Sequence, residues 1–130
     1  MAFANPELIR YLNRIKAPYN INSLTLAAAL QRLEEQDQVQ EQVAFMLEER
    51  KRLEAAFAEI GFIKTIFPSD ANFVLVRVDD SSLRYQQLLY SGIVVRNPSK
   101  NTACENTLRI SVGLAEENNA LIRALRTLDT

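Results

Sequence analysis

Residues 61–78 read GFIKTIFPSDANFVLVRV, and within this stretch the spacing of apolar residues changes from helical to extended. Phe62 to Phe67 predicts a strand, ended by Pro68, which has no N–H to give to a ladder. Phe73-Val74-Leu75-Val76-Arg77-Val78 is a nearly unbroken apolar run and predicts a second strand, buried on both faces. Downstream, Ser81 is placed to cap a short helix carrying Tyr85, Leu88 and Leu89, closed by Gly92. Ile93 to Asn97 then predicts a third strand and Leu108 to Gly113 a fourth. A last helix is expected from about Glu116 to Leu128, turning Leu121, Leu125 and Leu128 inward.

Upstream, the pattern is helical. Asn5 followed by Pro6 announces a first helix, an N-cap residue before proline at the first helical position. Leu8, Leu12 and Ile15 follow at helical spacing, and Pro18 ends the element by pushing its predecessor out of helical geometry. A second helix is expected from Asn22 or Ser23, with Leu26, Ala29, Leu30 and Leu33 on one face. Asp37 and Gln40 have capping-box spacing and predict the start of a longer helix. Its stripe runs Val39, Val43, Met46, Arg50, Leu53, Phe57 and Ile60, with Arg50 packing its stem and sending its head to water. Gly61 is the expected C-cap. Three helices, then strand-strand-helix-strand-strand-helix, predict an α+β fold: a small, mostly antiparallel sheet of about four strands with helices on one face.

The 130 residues suit one domain with a real core, and 48% hydrophobic with 24% charged residues is ordinary globular composition. A formal charge of −1 gives no electrostatic footprint for nucleic acid or an anionic membrane. No apolar run approaches the roughly 18 residues of a membrane span, and the N-terminus does not read as a signal peptide. With no histidine and a single cysteine, a Ser-His-Asp triad, a Cys-His pair and a His/Cys zinc site are all excluded within the chain. Three glycines leave room for neither a GxGxxG nor a P-loop. Cys104, in a polar loop without a basic neighbour, reads as incidental, and one thiol fits a reducing cytoplasm.

What chemistry remains rests on arginine. In Leu108-Arg109-Ile110-Ser111-Val112-Gly113 the apolar residues face one way, and Arg109 with Ser111 the other. Arg96 ends its strand just before a polar loop. Two guanidinium groups on adjacent strands would make a bidentate clamp for carboxylate or phosphate. On spacing alone, the simpler reading is an arginine on a solvated strand face. Among the rest, Asn72 is expected to bond backbone in its loop, and Glu48 with Arg52 to form a surface i,i+4 pair. Lys16 reads as a helix-end cation complementing the dipole. Tyr19 and Asn20 either border a cleft or cap helices.

Several segments taken in order carry a resemblance. Asn5-Pro6-Glu7-Leu8-Ile9 and Leu12 to Asn22, then Ser69-Asp70-Ala71-Asn72-Phe73, Gly92-Ile93-Val94-Val95-Arg96, and Leu108 to Gly113 followed by Glu116-Glu117-Asn118, resemble fold-type I pyridoxal-phosphate aminotransferases. Within that family the likeness is to the histidinol-phosphate branch, and it covers essentially the whole chain. It implies that residues 1–130 are the C-terminal, smaller, substrate-side domain, without the large cofactor-binding domain. It also implies pyridoxal phosphate as the intact enzyme's cofactor, L-glutamate and a phosphate-bearing substrate as its small-molecule partners, and a cytoplasmic homodimer. Residue by residue, Arg109 takes the role of binding the substrate's acidic group and Arg96 that of helping to bind its phosphate. Tyr19 and Asn20 become possible cleft-lining residues. For Arg109 the resemblance reverses the solvated-face reading.

The family's cofactor lysine lies in a Ser-Lys segment upstream of the opening helix, and none of Lys16, Lys51, Lys64 and Lys100 sits there. No catalytic, cofactor-binding or metal-binding residue is therefore assigned, and the chain alone is expected not to transaminate. Two alternatives stand beside this reading. One is a related enzyme of the same fold, a threonine-phosphate decarboxylase or an aromatic or aspartate aminotransferase. The other is a free-standing binding domain that kept the fold and lost the chemistry.

Overall fold

A computed structural model gives the structure of the chain and describes residues 4–16 and 21–129. It divides into two units, Met1–Val39 and Gln40–Thr130.

In the first unit, helix α1 (Pro6–Ile15) opens as its sequence predicts. Asn5 Oδ1 accepts the Glu7 N–H at 2.9 Å, and Lys16 leaves the helix in extended geometry. Helix α2 (Ser23–Glu34) is capped by Asn22, whose Oδ1 accepts from Thr25 N–H at 2.8 Å. The apolar faces have helical spacing but bury nothing: Ile15 is 80% and Leu33 65% exposed. Tyr19 and Asn20 lie outside the described residues.

Helix α3 (Gln36–Ala58) corrects the expected capping box. It starts before Asp37, because the Glu35 carbonyl already accepts from Val39 N–H at 3.2 Å while the Glu35 side chain pairs with Arg32. Asp37 instead lies in the first turn, where a negative charge complements the positive end of the helix.

The second unit holds the core. Strands β1 (Ile63–Phe67), β2 (Phe73–Val78) and β3 (Thr107–Ser111) form an antiparallel sheet in that order. Leu53 and Phe57 of α3, Leu88 of helix α4 (Ser81–Tyr90), and Leu121, Ile122 and Leu125 of helix α5 (Ala115–Leu128) join Val74, Val76, Val78, Leu108 and Ile110 in one buried cluster. All three helices thus feed the same sheet face. The α+β architecture with helices on one side is as the sequence predicts, with three strands rather than four.

The missing strand is the segment 93–97. It touches β3 through a single bridge, Arg96 opposite Arg109. Its start is held elsewhere, since Ile93 N–H donates to the Leu88 carbonyl at 2.9 Å. Its end meets Pro98, which cannot extend a ladder. Strand β2 also differs from expectation: Val74, Val76 and Val78 are buried, while Phe73, Leu75 and Arg77 are half-buried, so only one face is sealed.

Four local expectations are corrected by where side chains find partners. Asp80, not Ser81, caps α4, accepting from the N–H groups of Ser82 and Leu83 at 2.9 Å each. Gly61 is not a left-handed cap, since α3 ends at Ala58. Its N–H donates to Asp129 Oδ2 at 2.9 Å, and an added Cβ would stand 3.2 Å from the same carboxylate. Arg50 does not send its head to water: Nη1 donates to the Ala71 carbonyl at 3.0 Å, leaving the side chain 13% exposed. Arg52 pairs with Glu49 rather than Glu48. Gly92 is the left-handed residue closing α4, with φ of 78°. No described helix is long and apolar enough to cross a membrane.

Candidate anion site

Antiparallel pairing sends alternate residues of β3 to opposite sides of the sheet. Leu108 and Ile110 enter the core opposite Val76 and Val74, so Arg109 and Ser111 stand on the other face, opposite Leu75 and Phe73. Arg96 faces Arg109 in the isolated bridge. Arg96 N–H donates to the Arg109 carbonyl at 3.0 Å and Arg109 N–H to the Arg96 carbonyl at 2.8 Å. In such a hydrogen-bonded pair the two side chains rise from the same sheet face, with Cα atoms roughly 5.5 Å apart. The structure therefore brings Arg96 and Arg109 together. It does so through one bridge and not through a full fourth strand.

Both arginines line a cavity of about 740 Å³ together with Lys100, Ser82, Tyr85, Ser99 and Ser111. Its lining carries three cations and no carboxylate. Arg109 lies across the Phe73 ring, its Cζ 5.0 Å from the centroid, and its Nε is buried without a hydrogen-bond partner. A buried N–H that no protein group accepts costs about 1–3 kcal/mol. Like charges directly opposite on neighbouring strands also destabilise the sheet.

The wall beside Arg96 is fixed by a polar cluster that sequence reading missed. Ser99 Oγ accepts from Thr107 N–H at 3.2 Å, donates to the Thr107 carbonyl at 3.1 Å, and lies 2.8 Å from Ser81 Oγ. Asn97 Nδ2 donates to the Ser81 carbonyl at 3.3 Å, and its Oδ1 accepts from Ser99 N–H at 3.1 Å. Thr107 and Ser81 are buried. Small polar residues in a loop give no periodic signal, so only their position beside Arg96 pointed here. Asn72, an expected backbone-bonding residue, contributes its own carbonyl to Val112 N–H at 2.9 Å, while the Ser69 hydroxyl closes that loop onto the Phe73 carbonyl.

A second polar cluster anchors the far end of β3. Buried Asn118 donates to Glu49 Oε2 at 2.6 Å and to the Gly113 carbonyl at 2.9 Å, and accepts from Gly113 N–H at 3.0 Å. Arg52 grips the same carboxylate at 2.6 and 3.0 Å. The bonds from Arg52 and then Asn118 hold the Glu49 carboxyl below its ordinary pKa. Every polar group in this cluster is satisfied, which marks it as structural. Cys104 is half-buried in the turn, its carbonyl accepting from Thr107 Oγ1 at 2.7 Å.

Known proteins resemble the chain over nearly its whole length. A histidinol-phosphate aminotransferase of Flavobacterium psychrophilum is 46% identical over 126 residues, covering 97% of this chain and 36% of its own length. That of Flavobacterium johnsoniae is 40% identical over 129 residues, 99% of this chain and 37% of its own. Among solved structures, the histidinol-phosphate aminotransferase from Clostridium acetobutylicum superposes with a TM-score of 0.78 at 29% identity, over 96% of this chain and 38% of that one. The chain thus spans a little over a third of the length of the relatives it matches. Residues 1–125 match the aminotransferase class I and II family, and the chain belongs to it.

Proposed function

We propose that this chain is the substrate-side domain of an aminotransferase that moves an amino group between L-glutamate and imidazole-acetol phosphate. Arg109, with Arg96, holds the anionic end of the substrate. One observation carries the reading: two guanidinium groups rise from opposed residues of one sheet face into a cavity that offers them no carboxylate. A bound carboxylate or phosphate accepts from the planar fork of Arg109, and so is fixed in orientation as well as place. Relatives at 40–46% identity favour the histidinol-phosphate branch over a phosphothreonine decarboxylase.

The cavity does not suit the cofactor itself. Pyridoxal phosphate supplies an electron sink for amino transfer, and a carboxylate that would hold its ring nitrogen protonated does not line this cavity. Lys64 Nζ, among the described lysines, is turned to the Gly61 carbonyl at 2.7 Å. The reading therefore leaves the cofactor and its lysine to residues beyond this chain, and with them a cytoplasmic homodimeric enzyme. No step through the cofactor is derived from these residues.

The test is Arg109→Ala in the full-length enzyme that carries this segment. Loss of a charge-assisted pair predicts a KM for the phosphate substrate raised roughly ten- to a hundredfold, with the cofactor's visible absorbance intact. An unchanged KM would contradict the assignment.

A further inference from the structure

We propose that Lys100 is the third anchor of this site and makes it prefer a dianionic phosphate monoester over a singly charged carboxylate. The inference rests on the anion-site reading above and adds a specificity-determining residue to it. Lys100 lines the same cavity as Arg96 and Arg109 and belongs to a loop that β3 would otherwise leave loose. That loop is held on both sides of Lys100. Before it stands Ser99, tied to Thr107 and Ser81; after it, Asn101 N–H donates to the Pro98 carbonyl at 2.8 Å. Further along, Arg77 Nε donates to the Glu105 carbonyl at 3.2 Å. Neighbours on both sides thereby hold the segment that carries Lys100 at the rim of the cavity.

The charges around it point the same way. The acidic residues at the start of α4 are already committed: Asp79 holds Arg84 at 2.7 Å, and Asp80 caps the helix. Neither lines the cavity. Three cations exceed what one carboxylate neutralises, whereas a phosphate monoester brings close to two negative charges and three acceptor oxygens. Ser82 and Ser111 at the wall add hydroxyl groups suited to the remaining oxygens. A lysine acts here as a movable point charge, which suits phosphate, while the planar forks of the arginines serve either anion.

The experiment titrates the full 130-residue chain with methyl phosphate and with acetate, following backbone amide shifts by NMR, for the wild type, Lys100→Ala, Lys100→Arg and Arg109→Ala. Lys100→Ala should weaken methyl phosphate about fivefold or more and leave acetate within about twofold. Lys100→Arg should restore most of the loss. Equal weakening of both anions, or of neither, overturns the role of Lys100. Arg109→Ala should weaken both anions, and if it weakens neither, the anion-site reading itself fails whatever Lys100 does.

Discussion

Arg84 and Arg109 both lie against an aromatic ring, with Cζ 4.0 Å from the Phe62 centroid and 5.0 Å from that of Phe73, yet their surroundings are opposite. Arg84 is saturated. It donates to both oxygens of Asp79 at 3.0 and 2.7 Å, to Gln87 at 3.1 Å and to the Leu128 carbonyl at 3.2 Å. Arg109 faces a second arginine, a lysine at the same cavity, and an Nε with nothing to bond. On the function proposed above, the difference separates an arginine that completes the structure from one held for a bound anion.

Methionine at the two positions should produce crossed effects. Arg109→Met is expected to lose roughly ten- to a hundredfold in methyl phosphate affinity while thermal stability stays level or rises, since an unsatisfied buried donor and a like-charge pair both disappear. Arg84→Met is expected to lose about 1–2 kcal/mol of stability in denaturant unfolding, with anion affinity unchanged. Loss of stability in the first variant, or of affinity in the second, would break the distinction.

A smaller effect follows from acid. Arg84, chiefly through its hydrogen bonds, lowers the Asp79 carboxyl from 3.8 to about 2. Because the folded value is the depressed one, the pair's contribution is fully present above about pH 4 and is lost as pH falls toward 2. Asp79→Asn should flatten the stability–pH curve in that window, as read by denaturant midpoints at successive pH values. Least of all, Gly92→Ala should cost about 1 kcal/mol by strain alone, because φ is 78° and no atom lies within 4 Å of an added Cβ.

Where one residue's own chemistry decides the outcome, the sequence reads well. Asn5, Pro6 and Asn22 open their helices as expected, β2 has its expected bounds, and the β3 alternation places Arg109 on the polar face. Errors gather where a distant partner decides. Gly61 is claimed by Asp129, Arg50 by Ala71, and Arg52 in part by Asn119, links of up to 68 positions that periodicity cannot see. Residues 93–97 have strand composition but are pulled away by Leu88 and stopped by Pro98. The candidate site is half legible in the sequence. Arg109 and Arg96 could be named, whereas Lys100, Ser99 and the buried Ser81 and Thr107 depend on a loop whose conformation only the fold supplies.

The central claim is that Arg109 is held for an anion, and its Nε–H reports on that directly. In the full chain labelled with nitrogen-15, the Arg109 Nε–H resonance should shift on adding methyl phosphate. Its midpoint should match that of the backbone amides of Arg96 and Ser111. A resonance that stays fixed while the protein binds phosphate elsewhere, or binds none, would contradict the account.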